Sequence, residues 1–119
     1  MYKSVLTLLM TFSILSQLGA KEISIEMLNK RDDGQLMVYG QDVAKVEVGD
    51  TINWISTSKG HNVEMIAGPD GALLPKRSKL SKDFSMKFET PGIYLYVCTP
   101  HKAMGMLGVV IVGGDTSNK

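Results

Sequence analysis

The sequence predicts an all-β fold, a Greek-key β-sandwich of seven to eight strands with a short helix or two outside the sandwich. Many short segments alternate apolar and polar side chains, which is typical of strands that are buried on one face. Turn-forming residues separate these segments, and no long segment has a convincing helical period. In a chain of 119 residues, this spacing favours two packed sheets with antiparallel or mixed pairing.

The predicted strands follow one another with turn signals between them. In the first strand, Ile23, Ile25 and Met27 share one face, and polar side chains take the other. Trp54, the only tryptophan, lies within an apolar strand and is assigned to the core. Residues 73–81 are long enough for one or two helical turns. The predicted strands are residues 21–28, 44–48, 52–55, 62–66, 84–88, 93–97 and 107–112.

The first 20 residues have the pattern of a secretory signal peptide. Lys3 supplies the positive charge, residues 5–15 form a short apolar run, and Gly19-Ala20 ends the segment with small residues. The run is too short for a comfortable membrane span, and a retained membrane anchor is the alternative interpretation. Leu18 is bulky for such a site and leaves the boundary open by a few positions. Residues 21–119 are predicted to form a single domain.

The charge balance argues against one class of partner. The chain has 13 basic and 12 acidic residues, and removal of residues 1–20 removes only Lys3. The remaining domain is neutral, so its total charge suggests no nucleic-acid partner. We also expect no membrane association after the signal is removed. Any electrostatic docking must therefore arise from uneven placement of charge.

The residues that carry chemistry are few and clustered. The chain has one cysteine and two histidines; Cys98 and His101 stand three residues apart, and His61 lies 37 residues before the cysteine. Two methionines, Met104 and Met106, follow on the same loop. A thiolate, two imidazoles and a thioether are the ligands of a blue-copper electron-transfer site. A lone cysteine in an exported protein has no internal disulfide partner, and metal binding explains the histidine beside it.

Each of these residues also has an ordinary structural interpretation. A histidine in a turn is commonly a polar surface residue, and a buried free cysteine is commonly a small core residue. Both methionines could serve only as packing. These separate interpretations do not explain why both histidines and the only cysteine belong to one pattern, so the metal site is preferred.

The chain resembles the pseudoazurins, which are type 1 copper proteins of the cupredoxin family. The resemblance covers nearly all of residues 21–112 and is most specific in C-T-P-H-K-A-M-G-M (98–106) and K-G-H-N-V-E (59–64). Shorter matches are M-L-N-K (27–30), V-G-D-T (48–51) and P-G-I-Y (91–94). The resemblance implies a cupredoxin-like sandwich that holds one copper ion per chain.

The resemblance also implies a role for each ligand. The implied equatorial ligands are His61, Cys98 and His101, with each histidine binding through Nδ1. Met106 occupies the position of the weak axial ligand, and Met104 is the alternative because shorter-loop cupredoxins place their ligand there. The second nitrogen of His101 is then expected near the surface, where electrons would leave.

Two further residues are predicted to support the ligands. Asn62 follows the first histidine, and its side chain could bridge to the loop around Thr99. In the family, the backbone N–H at the position of Asn62 points at the cysteine sulfur. The alternative interpretation of Asn62 is a simple turn residue.

The expected docking surface surrounds the second histidine. Apolar residues on the loop would make a small patch suited to weak, transient contacts with redox proteins. The family places lysines around this patch, but Val97 stands where some pseudoazurins have a lysine. The predicted docking residues are Pro100, Met104, Lys30, Lys59, Lys79 and Lys102.

The resulting functional expectation is a monomeric, periplasmic carrier of single electrons without enzymatic activity. The resemblance implies a copper nitrite reductase or a c-type cytochrome as the redox partner. A copper-binding or copper-delivery protein without a redox role is the first alternative. A metal-free sandwich that serves as an adhesion or interaction module is the second.

Overall fold

The computed structural model describes residues 19–119. The predicted signal peptide of residues 1–20 therefore lies almost entirely outside the described residues and stays a prediction. Within residues 19–119, no helix has the length and apolar character needed to cross a membrane.

Eight strands form two four-stranded sheets in this part of the chain, which confirms the predicted β-sandwich. The first sheet has the order β2-β1-β4-β6, and the second has the order β3-β8-β7-β5. The strands are β1 (Glu22–Lys30), β2 (Leu36–Tyr39), β3 (Val43–Val46), β4 (Thr51–Ile55), β5 (Glu64–Ala67), β6 (Phe84–Lys87), β7 (Gly92–Val97) and β8 (Leu107–Val112).

Both sheets mix parallel and antiparallel pairs. In the first sheet, β1 runs parallel to β4 with Ile25 opposite Trp54, and β2 and β6 pair antiparallel at the two edges. In the second sheet, β7 and β8 form an antiparallel pair, and β3 runs parallel to β8. Neighbouring strands are therefore often distant in sequence, as Greek-key connections require.

The core lies between the two sheets. Ile25 and Met27 of β1 are buried, whereas Ser24 and Glu26 between them are exposed, as the alternation predicted. Trp54 of the first sheet meets Tyr96 of the second, with ring centroids 5.1 Å apart in an edge-to-face arrangement. Such aromatic contacts bury large areas and add specific geometry. They hold the two sheets in one relative position.

Three local predictions need correction. β2 was not predicted because its four residues L-M-V-Y show no alternation, and only its pairing with β1 makes it a strand. Val48 is exposed because β3 ends at Val46 and the chain turns at Gly49. Residues 62–63 lie before β5 and are irregular rather than extended in a sheet.

The helical turn expected within residues 73–81 is also wrong. This segment is an irregular loop that pairs with the chain just before β5: Ser78 N donates to Val63 O at 2.9 Å, and Val63 N donates to Ser78 Oγ at 2.8 Å. Because Ser78 N–H bonds to the distant Val63, it is not available to a carbonyl of a helical turn within this segment. A short 3₁₀-helix occurs instead at Thr99–Met104, outside the sandwich.

Candidate metal centre

The predicted ligands lie at one pole of the sandwich, where the loop between β7 and β8 closes on itself. Cys98 immediately follows β7, and the 3₁₀-helix then turns the chain back toward β8. Cys98 N donates to Met106 O at 2.9 Å, and Met106 N donates to His101 O at 3.3 Å. Gly105 ends the helix with φ of 78°, a left-handed conformation that glycine adopts without strain. These backbone bonds within the loop bring Cys98 close to Met106.

His61 reaches the same point from a different part of the fold. Its Nδ1 lies 3.7 Å from Cys98 Sγ, and the Nδ1 of His101 lies 3.3 Å from the same sulfur. Potential ligand atoms of these three residues all lie within 4.8 Å of one another. Two nitrogens and one sulfur converging at this spacing can hold a single metal ion, and their chemistry suits copper in both oxidation states.

Burial separates the predicted ligands into an inner and an outer set. His61, Cys98 and Met106 have no appreciable exposure, whereas His101 is partly exposed. Met104 is 61% exposed, so its side chain faces solvent, while that of Met106 faces the interior. This difference favours Met106 over Met104 as the thioether of the site.

One supporting residue was missed in the sequence. The Nε2 of His61 lies 2.7 Å from Asn29 Oδ1, at the end of β1. An amide oxygen only accepts, so Nε2 carries the proton and the lone pair of Nδ1 is left to face Cys98 Sγ. Asn29 stands within the M-L-N-K motif, but its 32-residue separation from His61 hid this contact.

Electrostatics at the site favour neutral ligands before metal binding. Burial, with a smaller contribution from His101, lowers the pKa of His61, so its imidazole stays neutral and able to coordinate. Burial raises the pKa of the Cys98 thiol, and the backbone N–H groups of Asn62 and His101 lower it by a smaller amount. The thiol must lose its proton when a metal binds, and those two N–H groups stabilise the thiolate.

Asn62 ties the two ligand-bearing segments together. Its Nδ2 donates to Thr99 Oγ1 at 2.8 Å, and Thr99 N donates back to Asn62 Oδ1 at 2.7 Å. Nδ2 also lies 3.2 Å from Ser78 O, and Thr99 Oγ1 donates to Glu64 Oε1 at 3.1 Å. Asn62 is 3% exposed, so these bonds are shielded from water. The structure thus brings together Asn62 and Thr99, as expected from the sequence.

The residues predicted to meet a partner are all exposed. Pro100 and Met104 flank His101 on the short helix, and Leu107 is 46% exposed at the start of β8. Val97 is 4% exposed, so this position presents no side chain for docking. The exposed lysines of the predicted set are Lys30, Lys59, Lys79 and Lys102.

Comparisons with known proteins agree with this site. Residues 25–113 match the model of the family described as copper binding proteins, plastocyanin/azurin family. A pseudoazurin from Methylorubrum extorquens is 38% identical over 102 residues, covering 84% of this chain and 68% of that protein. A pseudoazurin from Paracoccus pantotrophus is 41% identical over 96 residues, covering 79% of this chain and 65% of that protein. The crystal structure of the pseudoazurin from Methylobacterium extorquens AM1 superposes with a TM-score of 0.76 at 38% identity, covering 82% of this chain and 79% of that chain.

The fold, the site and these matches define a type 1 copper protein that transfers electrons and is not an enzyme. The chain belongs to the plastocyanin/azurin family of copper binding proteins, and it is similar to pseudoazurins of that family over most of its length. Copper is therefore its cofactor. The type 1 copper site is formed by His61, Cys98, His101 and Met106.

Proposed function

We propose that this chain carries single electrons in the periplasm, with a denitrification reductase such as a copper nitrite reductase, or a c-type cytochrome, as its partner. The observation that supports this most directly is the unequal burial of the two imidazoles: His61 is buried, and His101 is partly exposed. Bound copper supplies a one-electron cycle between Cu(I) and Cu(II). His101 is then the route by which an electron reaches a partner's surface.

Each ligand has a separate role in this proposal. His61 and His101 would hold the copper through their Nδ1 atoms, Cys98 would hold it through Sγ, and the thioether of Met106 would be the fourth, weaker ligand. Asn62 and Thr99 hold the two ligand-bearing segments at a constant separation through their paired hydrogen bonds. A site held in this way needs little rearrangement when the charge of the metal changes.

Partner docking is assigned to an apolar pole, which we define as Pro100, Met104 and Leu107. These exposed residues lie on both sides of His101 in the chain, and a docking surface of a few side chains suits a weak, transient contact. Exposed lysines of the predicted set would steer an acidic partner toward it. A monomer leaves this pole accessible, and the buried Val97 contributes no charge to it.

The N-terminal pattern supports the proposed export. Removal of residues 1–20 by a signal peptidase would release the domain of residues 21–119 into the periplasm. The short apolar run and the small residues before Lys21 support this assignment.

Stopped-flow mixing of the copper-loaded protein with a reduced c-type cytochrome and with a copper nitrite reductase tests the proposal. We expect rapid single-electron exchange with at least one of them. Met104→Glu should slow that exchange about tenfold or more, because it puts an acidic charge in the apolar pole, while the blue absorption stays unchanged. Leu73→Glu is the matched control, because it adds the same charge at an exposed apolar residue outside the apolar pole. Leu73 is 93% exposed and lines a separate groove with Thr90 and Tyr94. Slow exchange by the unsubstituted protein with every partner would favour copper delivery instead.

A further inference from the structure

A tyrosine at the end of β2 contacts the main chain beside the first ligand. Tyr39 is fully buried, and its hydroxyl donates to the backbone carbonyl of Asn62 at 2.6 Å. Edge-to-face packing against Tyr96, with centroids 4.7 Å apart, holds the ring of Tyr39 in place. The hydroxyl is therefore positioned by the core of the sandwich rather than by the metal-binding loop.

Asn62 is consequently held on two sides. Its carbonyl accepts from Tyr39 and its side chain exchanges two bonds with Thr99, while its backbone N–H opposes the rise in the pKa of the Cys98 thiol. Loss of the first contact would leave a buried carbonyl without that donor, and such groups are costly to leave unpaired. The main chain would then shift to find another donor.

We propose that Tyr39 is a positioning residue for the copper site, because its hydroxyl keeps the Asn62 N–H directed at the Cys98 sulfur. A hydrogen bond to the sulfur draws electron density away from the metal–thiolate bond and favours reduced copper. Tyr39 thus raises the reduction potential without contacting the metal. This role concerns the metal site itself and does not depend on the identity of the redox partner.

Replacement of tyrosine by phenylalanine at two positions tests the proposal. Tyr39→Phe should lower the reduction potential and shift the sulfur-to-copper charge-transfer band. Tyr94→Phe is the matched control, because the Tyr94 hydroxyl also donates to a backbone carbonyl, that of Thr90 at 2.7 Å, on the strand end away from Cys98. Both variants should lower the thermal unfolding midpoint of the apo-protein, but only Tyr39→Phe should move the potential. An unchanged potential in Tyr39→Phe, or an equal change in Tyr94→Phe, would overturn the proposal.

Nuclear magnetic resonance of the unsubstituted protein with Cu(I) keeps the test decisive if Tyr39→Phe does not fold. We expect a slowly exchanging Tyr39 hydroxyl proton and a protected Asn62 amide proton. Rapid exchange of both protons with solvent would contradict the proposed contacts.

An independent observation lies at the other end of β1. Asp50 is 5% exposed, and its two carboxylate oxygens accept from Lys21 N and Glu47 N, each at 2.8 Å. In residues 19–119, no lysine or arginine side chain forms an ion pair with this carboxylate. The charge of the Lys21 side chain acts on this carboxylate without an ion-pair contact, so backbone N–H groups make its direct bonds and no full counter-charge touches it.

We infer that processing after Ala20 supplies this counter-charge. Hydrolysis of the Ala20–Lys21 peptide bond adds water, leaves a carboxylate on Ala20 and frees the nitrogen of Lys21 as an amine that takes up a proton. The new ammonium group forms at the atom that already contacts Asp50 Oδ1. Removal of the signal segment therefore stabilises the folded domain through an N-terminal ion pair. This inference rests on the proposed export.

A comparison of N-termini tests the inference. The protein purified from the periplasm of an expression host should begin at Lys21 by mass spectrometry. One alanine added before Lys21 should lower the thermal unfolding midpoint of the unsubstituted domain but have little effect in Asp50→Asn. An equal loss in both backgrounds would overturn the ion pair. A different mature N-terminus would overturn the assigned bond and would leave the electron-transfer proposal intact.

Discussion

At the scale of single residues, the copper site depends on groups that prepare the ligands as much as on the ligands themselves. Asn29 selects the tautomer of His61, and Asn62 joins that histidine's segment to the loop that carries Cys98. These supporting groups are neutral amides, so they orient the ligands without adding charge to the site. Loss of a ligand and loss of a supporting amide should therefore have different effects.

Cys98→Ser should abolish the intense blue absorption of the copper-loaded protein. A serine hydroxyl is a hard donor that does not ionise at neutral pH, so it cannot replace the thiolate. Absorption spectra after addition of Cu(II), with circular dichroism to check folding, provide the measurement. A folded Cys98→Ser protein that stayed blue would contradict the ligand assignment.

Asn29→Ala should weaken copper binding about 10- to 100-fold while leaving the site blue. Without the amide oxygen, the His61 ring loses the contact that fixes its tautomer and orientation. Competition with a chelator gives the change in affinity. Asn53→Ala, which removes the amide that accepts from Ser85 on the sheet surface, should bind copper as the unsubstituted protein does.

At the scale of elements, the loop between β7 and β8 is the part that combines metal binding with exposure. Backbone bonds between Cys98 and Met106 close it, and the short helix lifts Pro100 and Met104 toward solvent. β7 and β8 hold the two ends of the loop as an antiparallel pair. The geometry of the loop therefore depends on correct pairing of these two strands.

Gly108→Ala should destabilise the protein by about 1–3 kcal/mol through overpacking next to this loop. Gly108 stands opposite Tyr96, and a Cβ at position 108 would overlap the buried tyrosine ring. The ring cannot move easily because it packs against Tyr39 and Trp54. Denaturant unfolding of the apo-protein measures the change. Gly71→Ala, where a Cβ meets no atom within 4 Å but the φ of 83° strains the backbone, separates overpacking from backbone strain.

In the whole molecule, the two sheets place the copper ligands at one end of the sandwich and the contact between Lys21 and Asp50 at the other. Parallel pairing of β1 with β4 brings Lys21 beside Asp50, and the far end of β1 brings Asn29 to His61. β1 and the residue just before it therefore contribute to both ends of the sandwich. Contacts at the Asp50 end concern folding stability and should be separable from copper chemistry.

Stability should fall in acid as Asp50 becomes protonated. Backbone N–H groups of Lys21 and Glu47 lower the pKa of Asp50 below its usual value, so the unfolded chain binds a proton at higher pH than the folded chain. The stabilisation is complete above the unfolded pKa of about 3.9 and is lost as pH falls through the lower folded value. Unfolding midpoints across pH should show Asp50→Asn less stable at neutral pH and converging with the unsubstituted protein in acid. An equal deficit at every pH would contradict this cause; the exposed Asp70→Asn should show no deficit.

Much of the sandwich was predictable because alternation along a strand reports which face is buried. β1, β4 and β7 follow the pattern closely, whereas β2 was missed because its apolar residues do not alternate. A short helix outside the sandwich was predicted, but its position at Thr99–Met104 was not, since closure by Gly105 and by bonds to His101 and Lys102 decides it. The helical turn predicted within residues 73–81 was wrong because a contact between distant residues decides the conformation there. Ser78 bonds to Val63, and that contact excludes a helical turn.

The fold class and the set of metal-binding side chains were predictable from the amino-acid sequence, because strand periodicity is local and the chain has only one cysteine and two histidines. Tertiary structure alone decided that Asn29 orients His61, that Tyr39 holds the carbonyl of Asn62, and that Lys21 N meets Asp50. Each of these contacts joins residues 23 to 32 positions apart. Such pairs depend on strand order and register, which a pattern of neighbouring residues does not encode.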